Sequence, residues 1–266
     1  MRKVLPLLVA LMLGTVVTSR ATDLAAFQAA RDSLRRGVNA GRAATVLDAR
    51  AAFETLAAAE PDSLDLGLWI ATCDWRATPL AQRGGAADQV AATICGHGLA
   101  AVEGVLKRSP RDAEALALKA GLLGMSLGFR DASASMTIGP QLVTLFAQAR
   151  GIAPGAPRVA FLDALNTLHM PGFFGGGAKK ALPAFEHAIG LFEHDTPGSP
   201  IALDWGRDDA ALWAGRTAAQ LGDKNRARAF YQQALAVNPD NGWVRTGLLP
   251  ALDAPAAGGP GRPESH

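Results

Sequence analysis

Residues 208–241 read DDAALWAGRTAAQLGDKNRARAFYQQALAVNPDN. The Gly222-Asp223 step divides the stretch into two runs whose apolar positions recur at helical spacing, so it predicts two short helices joined by a tight turn. Gly215 sits where the first helix must let the second approach, and Gly222 supplies the turn. In the second helix Ala227, Tyr231 and Ala234 stand at i, i+4 and i+7, a stripe in which two small residues flank one aromatic ring. Pro239 closes the unit, and Asp240 is placed to cap the next helix. Such a pair cannot bury its apolar faces alone and needs a neighbour of the same kind on which to stack.

This unit resembles a tetratricopeptide repeat (TPR), and working outward from it the likeness extends over most of residues 24–250. In RRGVNAGRAATVLDARAAFETLAAAEP the residues Gly37, Ala49, Phe53 and Pro61 fall at the offsets of the family. A third unit keeps Phe146, Ala149 and Pro154, and a fourth keeps Ala181, Phe185 and Ala188. The second unit shows little beyond helical pairing and Pro110. The closing prolines at 61, 110, 154 and 239 are spaced more widely than the family period of about 34 residues, so insertions separate the repeats. No run carries the alternating, β-branched pattern of a strand. The chain is therefore expected to be all-α: a TPR-like solenoid of about five antiparallel helix pairs over 22–250. A final helix in NGWVRTGLLPAL would cap it through Trp243, Val244 and Leu248.

The flanks read differently. MRKVLPLLVALMLGTVVTSRA opens with two basic residues, followed by an apolar stretch too short for a membrane span of about 20 residues and a small-x-small ending at Ala21. It predicts a signal peptide over 1–21, hence a periplasmic or secreted protein with no membrane span after cleavage. Residues 251–266, rich in Pro and Gly, read as a disordered tail. Removing 1–21 takes away Arg2, Lys3 and Arg20 but no acidic residue, leaving 23 basic against 24 acidic residues. A chain so nearly neutral gives no electrostatic reason to expect nucleic acid as a partner. Cys73 and Cys95 fall in helical runs on either side of a turn set near Pro79 to Gly85. In an oxidising compartment they can form a disulfide, and otherwise they are two small buried hydrophobes.

HMPGFFGGGAKKALPAFEHAIGLFE, residues 169–193, expands a turn between paired helices. Gly172, Gly175, Gly176 and Gly177 either present backbone N–H groups to an anion, helped by Lys179 and Lys180, or let two helices meet while Phe173 and Phe174 insert into a neighbouring layer. No strand precedes the turn and no GK[ST] follows it, which favours the second reading. The same turn resembles one in the periplasmic TPR proteins associated with TRAP-type transporters, a likeness that implies a small solute as ligand.

No catalytic motif is present, with no G-x-S-x-G, H-E-x-x-H or C-x-x-C, so neither catalytic residues nor a cofactor is expected. His187 and His194 lie roughly 10 Å apart along one helix face, too far to share a metal. Trp69, Trp75, Trp205, Trp213 and Trp243 read mainly as core filling between helix layers. The TPR resemblance implies a concave groove lined by the first helix of each pair. The positions it assigns here are Arg31, Asp163, Asn166, Asp209, Arg216 and Gln220. The function it implies is a non-catalytic scaffold for a protein or peptide partner, with a small-solute accessory of a transport system as the alternative.

Overall fold

Four helices open on a side chain that closes their first turn. Asp23, Ser63, Asp112 and Asp223 each accept from backbone N–H groups two or three residues on. Such caps satisfy donors that a helix start leaves orphaned, about 1 kcal/mol each. The computed structural model describes residues 22–254, so the signal peptide read over 1–21 and the tail beyond 254 lie outside the described residues.

The helices are α1 (Leu24–Asn39), α2 (Ala43–Ala59), α3 (Leu64–Arg83), α4 (Asp88–Arg108), α5 (Ala113–Ser126), α6 (Ala134–Ile152), α7 (Pro157–His169), α8 (Ala178–Glu193), α9 (Arg207–Gln220) and α10 (Lys224–Val237). They pack as five antiparallel pairs, and a π-helical turn, Trp243–Leu248, continuing into Leu249–Ala251, caps the last one with Val244 fully buried. Among the described residues all regular structure is helical, and the fold is a TPR-like α-solenoid. The α4 helix is long and apolar enough to cross a membrane, and here it packs against α3 and α5.

Small and aromatic residues alternate through the core. Phe27, Phe53 and Trp69, from three successive helices, enclose one another with ring centroids 5.4–5.8 Å apart. Ala49, Phe53, Phe146, Ala149, Ala181, Phe185, Ala188, Ala227, Tyr231 and Ala234 are all buried, as are Gly37 and Gly215, while Gly222 forms the exposed turn at positive φ.

One boundary departs from the sequence reading. Helix α3 runs through Pro79 to Arg83 instead of ending near 77. An internal proline removes a hydrogen bond and costs about 3 kcal/mol, which burial of Ala77, Thr78, Leu80 and Ala81 around it offsets. Pro140 and Pro183 are likewise inside α6 and α8.

The stack curls until its first and last pairs touch. Asn39 and Asn238 exchange side-chain amide hydrogen bonds of 3.1 and 2.9 Å across 199 residues of chain. Beside them Gly242 lies so close to Asn39 that an added Cβ would stand 2.7 Å from its carbonyl oxygen. The longest connection, residues 194–206 between α8 and α9, lies beside this closure with only Leu203 and Gly206 buried.

Candidate functional site

The 194–206 connection is pinned at several points by α1, α3 and α7. Asp195 accepts from Arg158 of α7 at 2.8 Å, and Ser199 donates to Asp65 of α3 at 3.3 Å. Trp69 of α3 donates its indole N–H to the Ile201 carbonyl at 2.8 Å, Leu203 is 2% exposed, and Asp204 pairs with Arg31 of α1 at 2.9 Å. Trp205 then stacks on Trp75, centroids 5.3 Å apart, and meets Phe161 edge-on. Gly206 ends the segment at φ 110, where a Cβ would lie 2.6 Å from the Phe192 ring, so glycine is required twice over. Backbone bond, charged pairs and aromatic anchor together reproduce the way a groove holds an extended peptide. Here the peptide is the chain's own.

Between this segment and helices α1, α3, α9 and α10 remains a cavity of about 390 Å³. Arg76 of α3, on its wall, clasps Asp209 of α9 with both terminal guanidinium nitrogens, and its guanidinium carbon lies 4.7 Å from the Trp75 ring and 5.0 Å from that of Trp205. Burial works against the Arg76 charge, but Asp209 outweighs it and holds the pKa above the ordinary arginine value. Asp208 has its pKa raised by burial and by the neighbouring Asp209 charge, against hydrogen bonds from Asn238 and Asn241. Two further cavity-lining groups have no partner: the Thr72 hydroxyl and the Trp205 indole N–H are buried and make no hydrogen bond in the protein. An unsatisfied buried polar group costs about 1–3 kcal/mol, and both residues belong to the wall of this cavity.

The six residues assigned to the groove separate into distinct places. Arg31 and Asp209 both line the cavity. Arg216 lies further along α9, its guanidinium 4.3 Å from the Trp213 ring and 4.8 Å from that of Trp243, and Gln220 is exposed at the end of the same helix. Asp163 is paired with Arg150, and Asn166 is half-buried on α7. Arg76, Arg158, Thr72, Asp204 and Trp205 were not assigned. Two of them leave a trace in the sequence. Arg76 interrupts the apolar run of α3, and Arg158 sits in the first turn of α7, where the helix dipole disfavours a cation and two carboxylates, Glu114 and Asp195, compensate.

A second buried charge lies on the far side of α3. Asp74, its side chain inaccessible to solvent, is held by Arg50 at 2.8 Å and His97 at 2.6 Å. Desolvation raises its pKa and these two partners pull it back. This network ties α2, α3 and α4 together around the buried Asp74 carboxylate. The disulfide considered for Cys73 and Cys95 does not form in this structure. Both are free and buried, and the Cys95 thiol donates to the Leu122 carbonyl at 3.3 Å. Among the described residues no three His, Cys, Asp or Glu side chains converge as metal ligands.

The glycine turn directs its donors inward. The N–H groups of Gly175, Gly176 and Gly177 bond to the carbonyls of Gly172, Pro171 and Thr167, leaving none for an anion. Gly175 and Gly177 adopt positive φ, Lys179 and Lys180 face solvent, and the helices meet closely. The expected insertion of Phe173 and Phe174 is corrected: they are 82% and 70% exposed, because the short 3₁₀ turn Gly172–Phe174 projects them from the tip.

No protein-family profile and no curated protein matches this chain. Solved structures do. The HusA haemophore from Porphyromonas gingivalis is 22% identical with a TM-score of 0.59, over 76% of this chain and 96% of its own. TTC0263, a thermophilic TPR protein in Thermus thermophilus, is 17% identical with a TM-score of 0.54, over 84% of this chain and 98% of its own. Neither bears on the likeness to TRAP-associated proteins. At these identities what is shared is the fold, and this chain is similar to both as a TPR-like helical-repeat protein.

Proposed function

We propose that this chain is an exported, non-catalytic binding protein whose ligand is a small organic solute held in the cavity between the first and last helix pairs. The observation that carries this reading is the pairing of a self-occupied groove with an incomplete interior. Residues 194–206 already occupy part of the surface that a partner peptide would use, while Thr72 and Trp205, each with a buried donor unpartnered in the protein, line a cavity of about 390 Å³. That volume lies in the range of small-molecule sites. Four arginines and four aspartates line it, with Arg31–Asp204 and Arg76–Asp209 paired directly, so the ligand that fits carries little net charge, accepts hydrogen bonds and presents a face to Trp69 and Trp205. HusA, a haemophore, has a similar fold. The present cavity does not suit haem iron, because no His, Cys, Met or Tyr lines it.

A native mass spectrum of the protein purified from its own envelope tests this. An added mass of a few hundred daltons, lost in Val38→Trp where the indole fills the cavity, is the expected result. No such mass, or one unaffected by Val38→Trp in a folded protein, overturns it. A second reading, an interaction scaffold for a protein partner, is supported by the TPR-like fold and by the Phe173–Phe174 pair, exposed with ring centroids 4.2 Å apart. An added mass of protein size, abolished by Phe173→Ser with Phe174→Ser, would establish it instead.

A further inference from the structure

Away from the cavity, α3, α9 and the terminal cap carry a separate charged cluster. Arg83, in the last turn of α3, and Arg216, on α9, each place their guanidinium on the ring of Trp243 from the terminal cap, at 4.9 and 4.8 Å. Arg216 also covers Trp213 at 4.3 Å, and Trp213 meets both Trp243 and His169 edge-on. Three distant parts of the chain are thereby brought together around two cations.

Two guanidiniums without a carboxylate partner meet here on one tryptophan ring. Arg31, Arg50, Arg76 and Arg158 each close an ion pair with a carboxylate. Among the described residues neither Arg83 nor Arg216 has one within ion-pair distance. The carbonyl end of α3 offsets part of the Arg83 charge, but Arg216 lies a turn inside α9 and has no such help. Desolvation lowers the pKa of both, and for Arg216 the Arg83 charge lowers it further. Burial, and then Arg216, also depress the His169 pKa, which keeps that ring neutral near pH 7 and removes a third competing cation. Tryptophan rings lie within 4.9 Å of both guanidinium carbons, and a guanidinium so packed can still offer its N–H groups to a bidentate oxyanion.

We propose that Arg83 and Arg216, oriented by Trp213 and Trp243, form a binding site for the oxyanion group, carboxylate or phosphate, of a small ligand. The site shares no lining residue with the cavity proposed above, so either can fail without the other.

The test is titration of the folded protein with inorganic phosphate and, separately, with succinate, read by calorimetry and by tryptophan fluorescence at constant ionic strength. Saturable binding of at least one probe is expected, and the one that binds identifies the oxyanion. Arg83→Gln and Arg216→Gln should each weaken binding by roughly tenfold or more, the scale of one charge-assisted hydrogen bond. Arg216→Lys, which keeps the charge and loses the fork, should fall between. Val38→Trp should bind the probe as well as the wild type does. Arg83 is exposed, so its variant decides the matter even if Arg216→Gln fails to fold. Failure of both probes to saturate, or Arg83→Gln binding as tightly as the wild type, overturns the proposal.

Discussion

At the scale of single residues, Thr72 distinguishes a ligand site from ordinary packing. Its hydroxyl is buried without a partner, so Thr72→Val should leave the ligand-free protein equally stable or more stable by about 1 kcal/mol, while weakening solute binding. Thermal melting with and without the native ligand separates the two effects. Asp209 should behave in the opposite way. Asp209→Ala strands Arg76 in a largely buried position and is expected to destabilise by about 3–5 kcal/mol, and Arg76→Leu added to it should recover much of that in urea unfolding. Burial pushes the Cys95 thiol up to about 11 and raises Cys73 further, so neither is a nucleophile near neutral pH. Iodoacetamide at pH 8 should leave both untouched in the native protein and modify both after denaturation without reductant. An unreactive denatured chain would instead reveal a disulfide. The sequence marked Asp209 as an inward-facing residue from its place in the repeat. It did not show that Asp209 is neutralised by Arg76, because that partner lies 133 residues away and is supplied by curvature.

At the scale of elements, the repeat unit 208–241 was readable because its helix periods, turn glycine and closing proline all act within 34 residues. The 194–206 connection was readable only as a loop, since what it touches comes from α1, α3 and α7. Pro79 misled for a related reason: local chemistry says stop, and the buried sides of α3 carry the helix on. Because Arg31 fastens the connection through Asp204, Arg31→Glu should place two like charges together and loosen it. Hydrogen exchange is expected to rise across 195–206, with the far-ultraviolet dichroism of the helices unchanged. Loss of helical signal would mean that Arg31 holds up the stack itself.

At the scale of the molecule, closure decides what the fold can bind. An open solenoid would offer a groove, whereas here the Asn39–Asn238 bonds, the Gly242 contact and the Arg83–Trp243 stack join the beginning of the chain to its end and make an interior. Closure was not legible in the sequence, because superhelical curvature accumulates from small rotations between repeats of unequal length. It is also what gives the cavity its walls. The most direct test is a pulsed dipolar distance measurement between spin labels at Ala40→Cys and Asp240→Cys, both exposed beside the seam, with the two native thiols too buried to label. A single narrow distribution at the short end of the measurable range is the expected result. A broad distribution at long distance would show that the ends stand apart, and would contradict both the closure and the solute site proposed beside it.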